Sequence, residues 1–486
     1  MKKNLILSLL LAACSFAGVG EVYAQSADAF NAPAAMNNDI QTMADDVISQ
    51  QLTDPDAANK AFSKLLRKIR NDKEQLVAVG AFFLDKKIYP CARQCAQQVY
   101  TIDPAYIPGL MLAGHVAMLR KDWGGAGQKF DEVLNYEPDN IEALRLNARV
   151  YKYVNPIVAK ETLAKIIEKE PENVAAYKEL GDIAYHEEDY QEAVKGYKNF
   201  FDRVAEPKAE HVKAGENYLI SLMNRGDFIT IKEMSAKLLP LDPNNLVLRR
   251  MQFFSQVETF DTAAVEGIKY LTEKQYADSS YLYLDYMFAS TFYSELLGDS
   301  DAAIEACRQA LVVDSTKTDG YKRLSTLLRQ NKRAIEAIPV YKKYLELLGD
   351  KADEAEKFGL ANIYIIAKDL AASEEERMQY ILAGDKIFEE YMAAQPTNFR
   401  GPFYRARLWI TDPQKPEEKP REYYAQAVEL IGDDTDNATQ KKMALQYLMI
   451  YALKTNDDAT CKEYVAKVLA IDPADKLAND ILKILQ

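Results

Sequence analysis

The chain has very little histidine and tryptophan: three His and two Trp in 486 residues. Few groups can therefore titrate near neutral pH, which leaves general acid–base and His-ligated metal chemistry little to work with. His115, His186 and His211 form no H-E-x-x-H pair, and no phosphate loop, dinucleotide-binding glycine motif or nucleophile elbow is present. A basic excess is also missing. Sixty Lys and Arg face 73 Asp and Glu, for a net charge of −13. Such a surface repels phosphate backbones and anionic lipid, which disfavours nucleic acid and peripheral membrane partners. Catalysis is not expected, and neither a cofactor nor a bound metal is implied.

Cysteine is sparse, with five in all. Cys91 and Cys95 are spaced like half of a metal site, but no second pair or neighbouring His completes it. Sulfurs four apart on one helix present poorly to each other, which argues against a disulfide. Cys307 and Cys461 read as small core residues. The fifth, Cys14, lies in the N-terminal apolar segment.

That segment is the one long apolar run. Lys2 and Lys3 precede Leu5–Ala13, and Val22-Tyr23-Ala24 places small residues ahead of Gln25, so residues 1–24 read as an export signal. Leu11-Ala12-Ala13-Cys14 resembles a bacterial lipobox, with Cys14 as the alternative lipidation site. Release into the periplasm of a Gram-negative bacterium is the expectation, and an outer-membrane lipoprotein anchored through Cys14 is the alternative. No later stretch is long enough to cross a membrane.

What the sequence does have is a ladder of acidic-proline pairs. Asp103-Pro104, Glu137-Pro138, Glu170-Pro171, Glu206-Pro207 and Asp242-Pro243 follow at steps of 34, 33, 36 and 36 residues. A period near 34 marks stacked helix pairs. Within it, Tyr177-x2-Leu180-Gly181-x2-Ala184-Tyr185 is followed by Ala193-x3-Tyr197 and Phe200. Leu110-x2-Ala113-Gly114-x2-Ala117 is followed by Trp123, Ala126-x3-Phe130 and Pro138. Tyr321-x2-Leu324 is followed by Ala337-x3-Tyr341 and Tyr344. This pattern resembles the tetratricopeptide repeat family over residues 39–486. The small residues let paired helices approach, and the large ones fill the adjoining hole.

The resemblance implies an all-α, right-handed superhelical solenoid of about eleven helix-turn-helix repeats with a C-terminal capping helix. The expected order is a flexible leader at 25–38, an N-terminal array at 39–245, an irregular repeat and bend at 246–280, a second array at 281–473 and a cap at 474–486. The Pro-rich stretch 411–421 is expected to be an extended loop. In this family the first helix of each pair lines a groove for peptides or partner helices. The matching positions here include Met111, His115 and Met118, then Lys178, Asp182 and His186, and later Arg250, Phe254, Lys322 and Arg329. Some members grip a peptide carboxylate with Lys and Asn one turn apart. Lys178 is followed by Asp182 instead, which would repel that group. The implied function is a non-enzymatic scaffold or adaptor for other envelope proteins or peptides. The alternative is a glycan-binding or nutrient-binding outer-membrane lipoprotein with a similar core, for which two Trp supply few platforms.

Overall fold

The computed structural model describes residue 30 and residues 32–485, apart from 52, 153, 413 and 414. Among the described residues there are helices and turns and no strands. The helices fall into two compact units, Met1–Thr259 and Phe260–Gln486.

In the first unit, α1 (Asn38–Gln51) pairs with α2 (Pro55–Ile69) and α3 (Lys73–Asp85) with α4 (Tyr89–Ile102). The next pairs are α5 (Ile107–Leu119) with α6 (Trp123–Tyr136) and α7 (Ile141–Tyr151) with α8 (Pro156–Lys169). Then come α9 (Val174–His186) with α10 (Tyr190–Arg203), α11 (Val212–Arg225) with α12 (Phe228–Leu238), and finally α13 (Leu246–Glu258).

The acidic-proline pairs have a local job. Asp103, Glu137 and Glu170 each end a second helix, their N–H groups bonded to Val99, Val133 and Ile166. Proline then blocks further helix. The acid also holds the start of the next helix. Glu137 accepts from the Asn140 amide at 2.7 Å and Glu170 from Asn173 at 2.7 Å. Asn140 and Asn173 in turn cap α7 and α9 through the N–H groups of Ala143 and Ala176. Glu206 is different. The α10 helix stops at Arg203, so Glu206-Pro207 lies in the longer connection to α11, which accounts for the stretched step there.

Glycine on a first helix meets an aromatic ring on its partner. A Cβ on Gly114 would fall 2.4 Å from Phe130, and one on Gly181 2.7 Å from Tyr197. Both rings are fully buried. These are the small-large matches that the repeat spacing implies.

In the second unit, two single turns stand where a second helix is expected: α14 (Ala264–Gly267) and α15 (Lys269–Thr272). The break falls at Gly267-Ile268, where glycine has low helix propensity. A buried network stabilises this segment. The Tyr270 hydroxyl donates to Asp285 at 2.7 Å, Asp285 also accepts from the Leu282 N–H at 2.7 Å, and Tyr281 donates to the Tyr270 carbonyl at 2.8 Å. The helix α16 (Tyr283–Thr291) runs on through a π turn to Gly298, whose φ is +67°. Asp299 then caps α17 (Ser300–Val313).

The remaining pairs are α18 (Thr318–Gln330) with α19 (Ala334–Leu348), α20 (Glu354–Ala367) with α21 (Glu374–Ala394), α22 (Arg400–Trp409) with α23 (Glu418–Ile431), and α24 (Ala438–Lys454) with α25 (Asp458–Ile471). The Pro-rich stretch is less extended than expected, because Glu418 already begins α23 and Pro420 sits within its first turn, where a missing N–H costs nothing. The last helix, α26 (Lys476–Ile484), buries Ala478 and Ile481 against Leu445, Met449, Val465 and Val468.

Candidate functional site

Most of the sequence-derived candidates are fifth and ninth residues of first helices. Their surroundings differ sharply along the chain. In α5 these are Met111 and His115, followed by Met118, and all three are buried. The cover over His115 is the leader. Phe30 packs 5.2 Å from the His115 ring, and Phe30, Ala32 and Met36 lie on the apolar cores formed by the first helix pairs. Residues 32–37, expected as a flexible leader, lie against these cores in the structure. Their apolar side chains have a groove to cover, and leaving both exposed would forgo about 25 cal/mol for each Å².

In α9, Lys178 and Asp182 pair with each other at 2.7 Å. Asp182 also accepts from Tyr197 at 2.8 Å, and Asn217 donates to the Tyr197 hydroxyl at 3.2 Å. Burial, then the Asp182 carboxylate, hold the Tyr197 hydroxyl well above its ordinary pKa. Lys178 is thus already matched by an anion of its own helix. His186 ends α9 and is exposed. Glu179, on the same helix, is buried between Lys152 at 3.1 Å and Arg149 at 4.0 Å. Burial pushes its carboxyl up, but Lys152, Lys178 and Arg149 together bring it below the usual value.

Arg250 and Phe254 on α13 are buried, Phe254 at 1% exposure. The expected groove position of Phe254 is corrected: it is a packing residue of the core. Arg329 is exposed. Lys322 is occupied, donating to Glu356 at 2.9 Å and to Tyr344 at 3.2 Å. Burial opposes its charge, yet these two partners hold the ammonium above its ordinary pKa.

The same register continues where sequence reasoning stopped. Phe358 and Asn362 are the fifth and ninth residues of α20, and Tyr404 is the fifth of α22. With Ala355, Tyr391, Phe399, Arg400 and Gln440 they line a cavity of about 400 Å³. The Phe358 ring lies 4.7 Å from Tyr391 and 5.2 Å from Tyr404. Asn398 donates to the Tyr391 hydroxyl at 2.9 Å and fixes that ring. Among the described residues, the side chains of Asn362, Arg400 and Gln440 make no hydrogen bond. The cavity thus offers two amides and a guanidinium beside an aromatic cluster. The signal that could have found it was the spacing Phe358-x3-Asn362 and Arg400-x3-Tyr404, obscured because the longer α20–α21 pair shifts the period.

The described cysteines lie apart from this cavity. Cys91, Cys95, Cys307 and Cys461 are buried free thiols. Burial pushes Cys91 up to about 11 and Cys307 up to about 12. Cys14 lies outside the described residues. Among the described residues, no group of three or more His, Cys, Asp or Glu could hold a metal ion, and no helix is long and apolar enough to cross a membrane.

Residues 157–198 match the sequence model of the tetratricopeptide repeat. The match runs from α8 through α10, and the helix pairs on both sides repeat its packing. Residues 157–198 thus carry a tetratricopeptide repeat, and the described helices on either side keep the consecutive pairing of such repeats, a class that typically scaffolds protein–protein contacts. Among solved structures, the chain is similar to the C-terminal part of a repeat protein from Cytophaga hutchinsonii: 18% identity, 55% of this chain and 98% of the other covered, TM-score 0.43. A tetratricopeptide repeat protein from Parabacteroides merdae is 16% identical, with 53% and 98% covered and a TM-score of 0.34. No curated protein matches the chain.

Proposed function

We propose that this protein is an exported, non-catalytic scaffold of the cell envelope that captures an extended segment of another envelope protein. The observation that carries the reading is the cavity on α20 and α22. Asn362 and Gln440 have amide donors and acceptors available for a peptide main chain. Arg400 can meet a carboxylate, and Phe358, Tyr391, Phe399 and Tyr404 offer a seat for an apolar side chain. Main-chain hydrogen bonds for affinity with side-chain pockets for specificity are a recurrent way to hold an extended peptide. Aromatic and Arg side chains are the types that most often dominate binding energy.

A glycan reading needs open indole faces. Trp409 instead has the Lys419 ammonium 3.3 Å from its ring centre and donates its N–H to Asp385 at 2.5 Å, which favours the peptide reading. The export signal at residues 1–24 and the choice between release and a lipid on Cys14 remain part of this proposal. Mass spectrometry of the mature N-terminus distinguishes them.

A photo-crosslinking residue at position 404, introduced in the native cell, should give one discrete adduct. Arg400→Ala should reduce that adduct at least fivefold. A folded protein that yields no adduct, or an adduct indifferent to Arg400, would sink the reading.

A further inference from the structure

The contacts of the leader go beyond apolar cover. Gln75 on α3 is buried, with 7% exposure. Its side-chain amide donates to the Ala35 carbonyl at 3.1 Å and accepts from the Asn37 N–H at 2.9 Å. One glutamine therefore satisfies two main-chain groups two residues apart, as a neighbouring strand would. Upstream, Phe30 packs on His115 of α5. Phe30 and residues 32–37 thus lie across the first helices of two consecutive pairs, held by a main-chain clamp at one end and an aromatic anchor at the other. The fit beside the aromatic anchor is loose: an open cavity of about 270 Å³ remains there, bounded by Phe30, Pro33, Ile107, Met111 and His115 and, on its polar side, by Asn140 and Glu142.

We propose that Phe30 and residues 32–37 are a built-in, displaceable occupant of a peptide-binding groove on α3 and α5. The external ligand is an extended peptide of the same pattern: an aromatic anchor, then small residues whose carbonyl and N–H meet Gln75, with a larger apolar side chain where Pro33 lies. The clamp reads main chain and so tolerates many sequences, whereas the underfilled cavity discriminates. A groove that must first release its own leader admits only a ligand that outcompetes a covalently tethered segment, whose effective concentration lies in the millimolar range. This proposal uses different residues from the cavity at Arg400 and stands without it.

The test uses the full chain and a fluorescent synthetic peptide of residues 28–38 (DAFNAPAAMNN). Phe30→Asp in the protein detaches the leader, so the peptide should bind that variant at least tenfold more tightly than the unaltered chain. Adding Gln75→Ala should remove the gain. A peptide carrying Pro33→Leu should bind several-fold more tightly than the original. Equal binding to both chains, or none to a Phe30→Asp chain with unchanged thermal unfolding, overturns the self-occupied groove. Weaker binding of the Leu peptide overturns the ligand pattern. Should Phe30→Asp fail to fold, hydrogen exchange on the unaltered chain decides. The Asn37 amide should exchange at least tenfold more slowly than in the free peptide, and equal rates refute the docking.

Discussion

Gly196 of α10 lies so close to Gly181 of α9 that a Cβ on Gly196 would sit 2.5 Å from the Gly181 backbone nitrogen. Neither backbone can step aside without moving a helix. Gly196→Ala should therefore destabilise the first unit by about 1–3 kcal/mol through overpacking. Gly124 is the control, since nothing lies within 4 Å of its would-be Cβ. Gly124→Ala should raise stability by about 0.5 kcal/mol. Chemical unfolding of both variants checks the contrast, and equal effects would refute the close-approach reading.

Turns inside the pairs carry another mark. Lys87, Lys121, Glu188 and Lys332 have φ of +60°, +62°, +60° and +60°. The left-handed region costs a non-glycine residue roughly 1–2 kcal/mol, partly offset by the greater freedom glycine has when unfolded. Gly298 already occupies this position between α16 and α17. Lys121→Gly and Lys332→Gly should each stabilise by about 0.5–1 kcal/mol, seen as a higher melting temperature.

Glu179 sets an acid limit. Its folded pKa lies below the ordinary 4.5, so its contribution is complete above that value. The contribution is lost as pH falls through the depressed folded pKa. Glu179→Gln should lower stability at pH 7 and flatten its dependence on pH below about 4.5. A variant that keeps the parental acid slope would show that other carboxylates carry it.

At the broken repeat, Tyr270→Phe removes a buried hydroxyl donor from Asp285. A cost of about 1–3 kcal/mol is expected for a carboxylate deprived of a buried partner. The same change at Tyr286, whose hydroxyl faces Lys274 at the surface, should cost less than about 0.5 kcal/mol. Calorimetry on the two variants separates them.

The four buried thiols should resist alkylation in the folded chain. The thiolate is the reactive form, and burial holds Cys91 at about 11. Mapped iodoacetamide labelling should be slow at Cys91, Cys95, Cys307 and Cys461 at pH 7 and should become fast only on unfolding. Rapid native labelling at Cys95 would contradict its complete burial.

Much of the architecture was legible because it is local. The acid of Glu137 reaches Asn140 and that of Glu170 reaches Asn173, both three residues on. Gly181 meets Tyr197 within one helix pair. Such relationships recur with the repeat and leave a period that can be read by eye. Glu206 escaped it because a longer connection moves an acid-proline pair off the helix end without altering its appearance in sequence.

The open surface was not legible in that way. His115, Phe254, Lys178 and Phe358 share one register position or its partner one turn on, yet one is covered by the leader, one is core, one is ion-paired and one lines a cavity. Sequence alone determined the helix pairs, their caps and the small-large contacts, because each depends on residues within one repeat. Only tertiary structure decided which first-helix positions remain accessible. That outcome depends on groups far away in the chain, such as Ala35 and Asn37 on Gln75, separations of 40 and 38 residues. Burial and charge pairing across such distances have no period to betray them.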